Sequence, residues 1–309
     1  MGGLYLVTGG AGFIGSNIVR HLVAEQQRVR VLDDFSAGKR ENLAGLDEVE
    51  LVEGSLVHLE TIRRVLEGVD YVLHQGAVAS VPRSVEEPLK THEANLTGTL
   101  NLLVAAKESG VKRVVLAASS SVYGDGAALP KEEALAAEPL SPYAVQKYAS
   151  EHYGRVFAGV YGLPVVSLRY FNIFGPYQDP ASEYAAVIPR FIQAMLAGER
   201  PVIFGDGEQS RDFTYIDNAV QANLLACHGE KVGGGEVLNI ACGTRYTLNA
   251  LVEALNGILG TALVPRYAEP RPGDVRHSQA EIDRARALLG YRVKVDFREG
   301  LRRTVDWYR

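Results

Sequence analysis

The sequence is poor in cysteine, in basic charge and in long apolar runs, and each shortage excludes a class of protein. Cys227 and Cys242 are its only cysteines in 309 residues, and they form no C-x-x-C pair. A disulfide scaffold and a cysteine zinc site are therefore disfavoured, and a reducing cytoplasm is the expected compartment. The seven histidines show no H-E-x-x-H spacing, so no metal is expected. Lysine and arginine total 32 against 37 acidic residues, a net charge of −5. That balance argues against a nucleic-acid partner, which normally selects a basic excess. No apolar run approaches the roughly 18–20 residues that span a bilayer, so no membrane partner is expected. Met1-Gly2-Gly3 leads straight into Leu4-Tyr5-Leu6-Val7 with no basic stretch, so no secretory signal is read. The G-x-x-x-x-G-K-[ST] phosphate loop is also missing, as is any repeat of 20–50 residues.

What is present is an alternation of short β-branched runs with amphipathic segments. Strands are expected at residues 5–8, 29–32, 49–53, 71–74, 114–118 and 165–170. Between the first two, Phe13, Ile14, Ile18, Val19, Leu22 and Val23 share one helical face over Phe13–Glu25. Near-continuously apolar strands separated by helices read as βαβ units of a parallel sheet. After Tyr170 the rhythm breaks into loop-rich stretches at 172–181 and 199–212. Helical patterns return at 187–197, 216–228, 247–259 and 279–289. The expected architecture is α/β, a doubly wound parallel (Rossmann) sheet with a smaller C-terminal α/β substrate-binding domain. Residues 1–168 and 213–240 form the dinucleotide domain in this reading, and residues 169–212 and 241–309 the second.

The segment Thr8-Gly9-Gly10-Ala11-Gly12-Phe13-Ile14-Gly15 follows a strand and opens a helix. Glycine at 9, 12 and 15 allows a tight turn, close approach of a pyrophosphate and packing of helix on sheet. Free N–H groups and the positive dipole end then face the phosphates. Asp33 ends the second strand, 18 residues after Gly15. A carboxylate there accepts from ribose hydroxyls and repels a 2′-phosphate, which favours NAD. Lys39 and Arg40, close behind it, keep NADP open as an alternative.

Tyr143 and Lys147 stand one helical turn apart behind Pro142, the one tyrosine with lysine at i+4. A phenol of pKa about 10 is a poor base, and a neighbouring ammonium and a positive nicotinamide favour phenolate. The expected drop is ~3 units, or ~4 kcal/mol, which makes tyrosine a usable general base for an alcohol. Ser119-Ser120-Ser121 follows the fifth expected strand, at a carboxyl strand end where α/β sites form. One of these hydroxyls can hold the reacting oxygen, while an ordinary turn role is the plainer alternative for each.

Together these features resemble the extended short-chain dehydrogenase/reductase family along essentially the whole chain. Arg169-Tyr170-Phe171-Asn172-Ile173-Phe174-Gly175-Pro176, Arg211-Asp212-Phe213-Thr214-Tyr215-Ile216-Asp217 and Arg271-Pro272-Gly273-Asp274 continue the likeness. Within the family the chain is most similar to NAD-dependent UDP-sugar 4-epimerases. The resemblance implies Ser119, Tyr143 and Lys147 as catalytic residues, with Ser119 rather than Ser120 at the matching serine. It implies a cofactor site of Gly9, Gly12, Phe13, Ile14, Gly15, Asp33, Asp34, Ser36, Gly38, Ser55, Leu56, Gln75, Gly76, Ala77, Asn95 and Tyr170, with Tyr143 and Lys147. For the UDP-sugar it implies Ala79, Ser80, Ser119, Ser120, Tyr143, Asn172, Val187, Phe204, Arg211, Arg271, Asp274 and Ser278. For Val187 and Phe204 a plain core role stands beside the uracil-flanking one. Ser55 replaces the usual aspartate after the third strand, which predicts weaker cofactor retention. Ser278 stands where sugar-restricted members carry tyrosine, which leaves room for an N-acetyl group.

The activity this implies is C4 epimerisation of a UDP-hexose through a transient 4-keto sugar, with NAD as cofactor and a homodimeric assembly. UDP-glucose/UDP-galactose with tolerance for UDP-N-acetylhexosamines is the expected range. Ser120 and Ser121 stand where 4,6-dehydratases of the family carry Asp-Glu, which disfavours dehydration. UDP-glucuronate 4-epimerisation stays open because Arg83 or Arg276 can meet a carboxylate. A non-catalytic dinucleotide-sensing module is the alternative of a different class, and it has no need of the Tyr143/Lys147 pair.

Overall fold

A computed structural model describes residues 3–181, 186–270 and 275–309. Seven parallel strands form the main sheet: β1 Leu4–Thr8, β2 Arg28–Asp33, β3 Glu50–Glu53, β4 Tyr71–His74, β5 Arg113–Ser119, β6 Val165–Tyr170 and β7 Gly234–Ile240. Their spatial order is β7-β6-β5-β4-β1-β2-β3. Strand order reverses between β1 and β4, and a crevice opens at the carboxyl ends there.

Side chains alternate across the sheet as the period of a strand requires. Leu4 and Leu6 face one core with Val114, Leu116 and Val165. Tyr5 and Val7 face the other with Val115, Val166 and Leu168. Helices α2 Leu59–Val65 and α3 Gly98–Ser109 cover the first face. The second is covered by α1 Phe13–Ala24 and, further along the chain, Ile216–His228. The sheet is thus wound on both sides.

Helix α4 Pro142–Tyr161 starts sharply because Ser141 Oγ accepts from the Ala144 N–H at 3.2 Å and Pro142 fixes the first turn. Gly162 ends it in the left-handed conformation. The chain continues through α5 Val187–Leu196, α6 Ile216–His228, α7 Leu248–Leu259, α8 Asp283–Leu289 and α9 Phe297–Tyr308. Short strand pairs join 173–174 to 214–215, 202–204 to 266–268 and 210–211 to 246–247. No described helix is long and apolar enough to cross a membrane.

Two expectations need amendment. Strand β7, the sheet edge beside β6, was absent from the expected set because it opens within a glycine run. Gly233 and Gly235 take positive φ, and the pairing register shifts between Gly234 and Glu236. The helix expected from residue 279 begins only at Asp283. Before it, the Lys131 N–H donates to the Gln279 carbonyl and the Glu281 N–H to the Lys131 carbonyl, which holds the chain extended.

Candidate active site

The glycine turn is built by contact. Gly9 has φ +65°, and a Cβ there would meet Gly76 Cα at 2.7 Å. A Cβ on Gly15 would lie 2.1 Å from the Gly9 carbonyl oxygen. Helix α1 therefore packs directly on the turn, and only glycine fits both places. Gly12 caps α1 without a side-chain acceptor, and the first turn holds no acidic residue. Its opening amides are left for an anion from outside.

Asp33 stands at the end of β2, beside the glycine turn. Its Oδ2 accepts from the Ala11 N–H at 2.9 Å and its Oδ1 from the Phe35 N–H at 2.8 Å. Burial pushes its carboxyl up, and these two bonds oppose the shift. Each oxygen keeps a lone pair for a further donor.

Behind the opposite rim, a buried polar chain fixes the turn after β4. The Thr99 hydroxyl donates to the Asn95 carbonyl at 2.6 Å, so His74 Nε2–H donates to Thr99 at 2.9 Å. His74 Nδ1 then accepts from the Thr8 hydroxyl at 2.7 Å, and Thr8 accepts from the Gly76 N–H at 3.2 Å. This makes Nε2 the protonated nitrogen, and burial, aided by the Lys147 charge, keeps the imidazole neutral by holding its pKa down at about 3. Around Asn95 the backbone widens into a π-turn over residues 93–97. Asn95 clamps Val78, accepting from its N–H at 2.7 Å and donating to its carbonyl at 3.2 Å.

Tyr143 and Lys147 stand on one face of α4, opposite Ser119 at the end of β5. The Ser119 hydroxyl stands beside the Tyr143 phenol, and its Oγ accepts from the Ser121 N–H at 3.2 Å. Burial raises the Tyr143 pKa, and the nearby Ser119 hydroxyl opposes the rise. The expected drop is therefore not supplied by the protein alone. Lys147 Nζ donates to the Ala117 carbonyl at 2.8 Å and lies 5.9 Å from the Tyr143 ring centroid. Burial lowers its pKa to about 8, opposed by Glu151 one turn on. Glu151 is held in turn by Arg169 through two bonds of 2.8 and 2.7 Å.

One cleft of ≈ 970 Å³ joins these groups. Gly9, Gly12, Phe13, Ile14, Gly15, Asp33, Asp34, Ser36, Gly38, Ser55, Leu56, Gln75, Gly76, Ala77, Ala79, Ser80, Ser119, Tyr143, Lys147, Tyr170 and Asn172 all line it. Asn95 does not; it acts on the wall through Val78. Ser120, Val187, Phe204, Arg211 and Ser278 also lie off the lining. Arg211 and Ser278 lie together one layer out, where the Ser278 N–H donates to the Ser210 carbonyl at 3.0 Å, and Gln209 Nε2 donates to the Phe204 carbonyl. Asn172 connects this cluster to the cleft by donating to the Asp212 carbonyl at 3.2 Å. Arg271 and Asp274 fall outside the described residues.

Several site residues had no sequence signal strong enough to single them out. Asn223 is fully buried and exchanges hydrogen bonds with the Tyr170 hydroxyl, while Gln75 donates to it at 3.1 Å. Its trace in the sequence is an asparagine on the apolar face of α6. Ser84 accepts from the Tyr143 N–H at 3.1 Å. Asp212 is fully buried and accepts three backbone N–H groups, from Cys242, Gly243 and Ala280. It ties the strand of Arg211 to the segment of Ser278.

An extended dinucleotide fits these features: uncapped amides at a glycine turn, a carboxylate at the end of β2 and a buried Tyr–Lys pair along one cleft. The comparisons agree. The model of the NAD dependent epimerase/dehydratase family matches residues 5–241. A UDP-glucose 4-epimerase of Mycolicibacterium smegmatis is 38% identical over 98% of both chains. Among solved structures, a UDP-N-acetylglucosamine 4-epimerase from Methanobrevibacter ruminantium, in complex with UDP-N-acetylmuramic acid, superposes with TM-score 0.95 at 42% identity, covering 99% of this chain and 98% of that one. The UDP-glucose 4-epimerase of Thermus thermophilus in complex with NAD superposes with TM-score 0.89 at 38% identity, with the same coverage.

Proposed function

The chain belongs to the NAD dependent epimerase/dehydratase family, and from that premise we propose that it interconverts UDP-hexoses at C4. The observation that carries this reading is that Ser119, Tyr143 and Lys147 meet in the cleft that also holds the glycine turn and Asp33. Bound NAD supplies reversible oxidation at the sugar C4.

The chain's own residues do the rest. The opening amides of α1 would hold the pyrophosphate, and Asp33 would accept from the hydroxyls of the adenosine ribose. Tyr143 takes the proton from the C4 hydroxyl and returns it to that oxygen when the opposite C4 configuration forms, with Ser119 hydrogen-bonded to the same oxygen. Lys147 keeps a positive charge beside the phenol, anchored at Ala117. Because burial disfavours phenolate at Tyr143, Lys147 would need the further positive charge that a bound nicotinamide would supply. Arg211 and Arg271 neutralise the diphosphate, and Asn172 joins the strand of Arg211 to the cleft. Residues 1–168 with 213–240 are assigned to cofactor binding, and the remainder to the nucleotide sugar.

The substrate range is UDP-glucose/UDP-galactose, with Ser278 admitting an N-acetyl group. Two contacts weigh against UDP-glucuronate. Arg83 is ion-paired with Glu87 at 3.0 Å, and Glu86 and Glu87 line the cleft beside it. Arg276 is paired with Asp206 at 2.9 Å. Both arginines that would greet a uronate thus start out paired, at solvent-accessible positions where such a pair is worth at most about 1 kcal/mol.

The active form is a homodimer in this reading. Val145, Val156 and Val160 lie along one exposed face of α4, and Val85 and Leu89 are exposed on the short helices Val81–Glu86 and Pro88–His92. Two free cysteines, both with thiols pushed up to about 12 by burial, suit the cytoplasm. Proton NMR of the purified protein with UDP-glucose, UDP-N-acetylglucosamine and UDP-glucuronate in parallel tests the proposal. The 4-epimer is expected from the first two, and product from UDP-glucuronate alone would overturn the substrate reading.

A further inference from the structure

The ribose end of the cleft carries cations where a carboxylate faces the cofactor. Lys39 follows Gly38, where a Cβ would lie 3.0 Å from Asp33 Oδ1, and its own N–H donates to the Ala11 carbonyl at 3.0 Å. Lys39 and Asp33 thus share one wall. A free ammonium on that wall would offset the repulsion with which Asp33 meets a 2′-phosphate. Neither nearby cation is free. Lys39 Nζ meets Asp179 Oδ2 at 2.7 Å, and both residues line the cleft. Arg40 is ion-paired with Glu53 and lies 4.0 Å from the Phe35 ring centroid.

We propose that Asp179 is a cofactor-selectivity residue: by holding Lys39 it leaves the ribose end net negative and excludes a 2′-phosphorylated dinucleotide. Its position does not depend on Lys39. Asn17 Nδ2 donates to the Pro176 carbonyl at 3.0 Å. The Tyr177 ring packs on Arg20 at 4.6 Å and on Trp307 at 5.2 Å. Asp179 Oδ1 accepts from the Ala181 N–H at 2.9 Å. The loop is therefore held by α1 and α9 and delivers a carboxylate to the cleft whether or not an ammonium meets it. Asp33, Asp34 and Asp179 against Lys39 leave two net negative charges. Asp179→Asn removes one of them and releases the ammonium.

This inference rests on the dinucleotide reading of the cleft, and the test separates the two. Dissociation constants for NAD and for NADP are measured by calorimetry on the wild type, Asp179→Asn, Asp179→Asn/Lys39→Met and Asp33→Asn. The wild type binds NAD in preference. In Asp179→Asn, NADP binding tightens about ten-fold, the lower range for a hydrogen bond to a charged group, while NAD changes less than about two-fold. Adding Lys39→Met abolishes the gain. An unchanged ratio of the two constants in Asp179→Asn, with a relaxed ratio in Asp33→Asn, would overturn the role of Asp179 alone, as would a gain that survives Lys39→Met. A wild type that binds neither dinucleotide would overturn the reading beneath it.

Discussion

Acidification to about pH 5 is expected to cost the fold about 2 kcal/mol at His74 alone. The imidazole is buried between Thr8 and Thr99, and its pKa falls from 6.5 to about 3. Below pH 6.5 the unfolded chain takes up a proton that the folded chain refuses. Stability from this group is therefore complete above pH 6.5 and is lost as the pH falls from there toward about 3. Each pH unit inside that window is worth about 1.4 kcal/mol. Urea unfolding at about pH 6.5 and about pH 5 on the wild type and His74→Gln isolates the contribution. Gln keeps an acceptor and a donor for the two threonines and removes the titration. The wild type should lose about 2 kcal/mol more than the variant over this interval. Equal losses in the two proteins would refute the neutral buried imidazole, and with it the relay that holds the Gly76 turn.

Tyr143→Phe should lower turnover by about 10²–10⁴-fold while bound NAD per protein stays at the wild-type level, read from absorbance after denaturation. Gly15→Ala should purify without cofactor, because its Cβ would stand 2.1 Å from the Gly9 oxygen and must push α1 off the turn; cofactor content at the wild-type level would contradict this. Val160→Asp, on the exposed face of α4, should shift sedimentation toward monomer with secondary structure intact by circular dichroism.

The parts of the site that share one turn or one helix were legible from residue order alone. Thr8–Gly15 fixes a strand, a turn and a helix start within eight residues, and Tyr143 and Lys147 are one helical turn apart. Asp33 was legible because it ends the second strand, 18 residues after Gly15. What escaped depends on contacts between distant segments. His74 meets Thr8 and Thr99 across 66 and 25 residues, and Asn223 reaches Gln75 across 148. Strand β7 escaped because its glycine opening carries turn signals, although Val237, Leu238 and Ile240 are buried. The phenol of Tyr143 shows the same limit in energy. Spacing supplied the neighbouring cation, while the opposing cost of burial depends on how α4 seats against β5.

The account turns on hydride leaving C4 and returning to the same carbon. UDP-glucose carrying deuterium at C4, incubated with the enzyme in ordinary water and followed by proton and deuterium NMR, tests this most directly. The expected product is UDP-galactose with the deuterium still on C4. Product that has exchanged its label for solvent hydrogen would mean that C4 is deprotonated instead, and would contradict the mechanism.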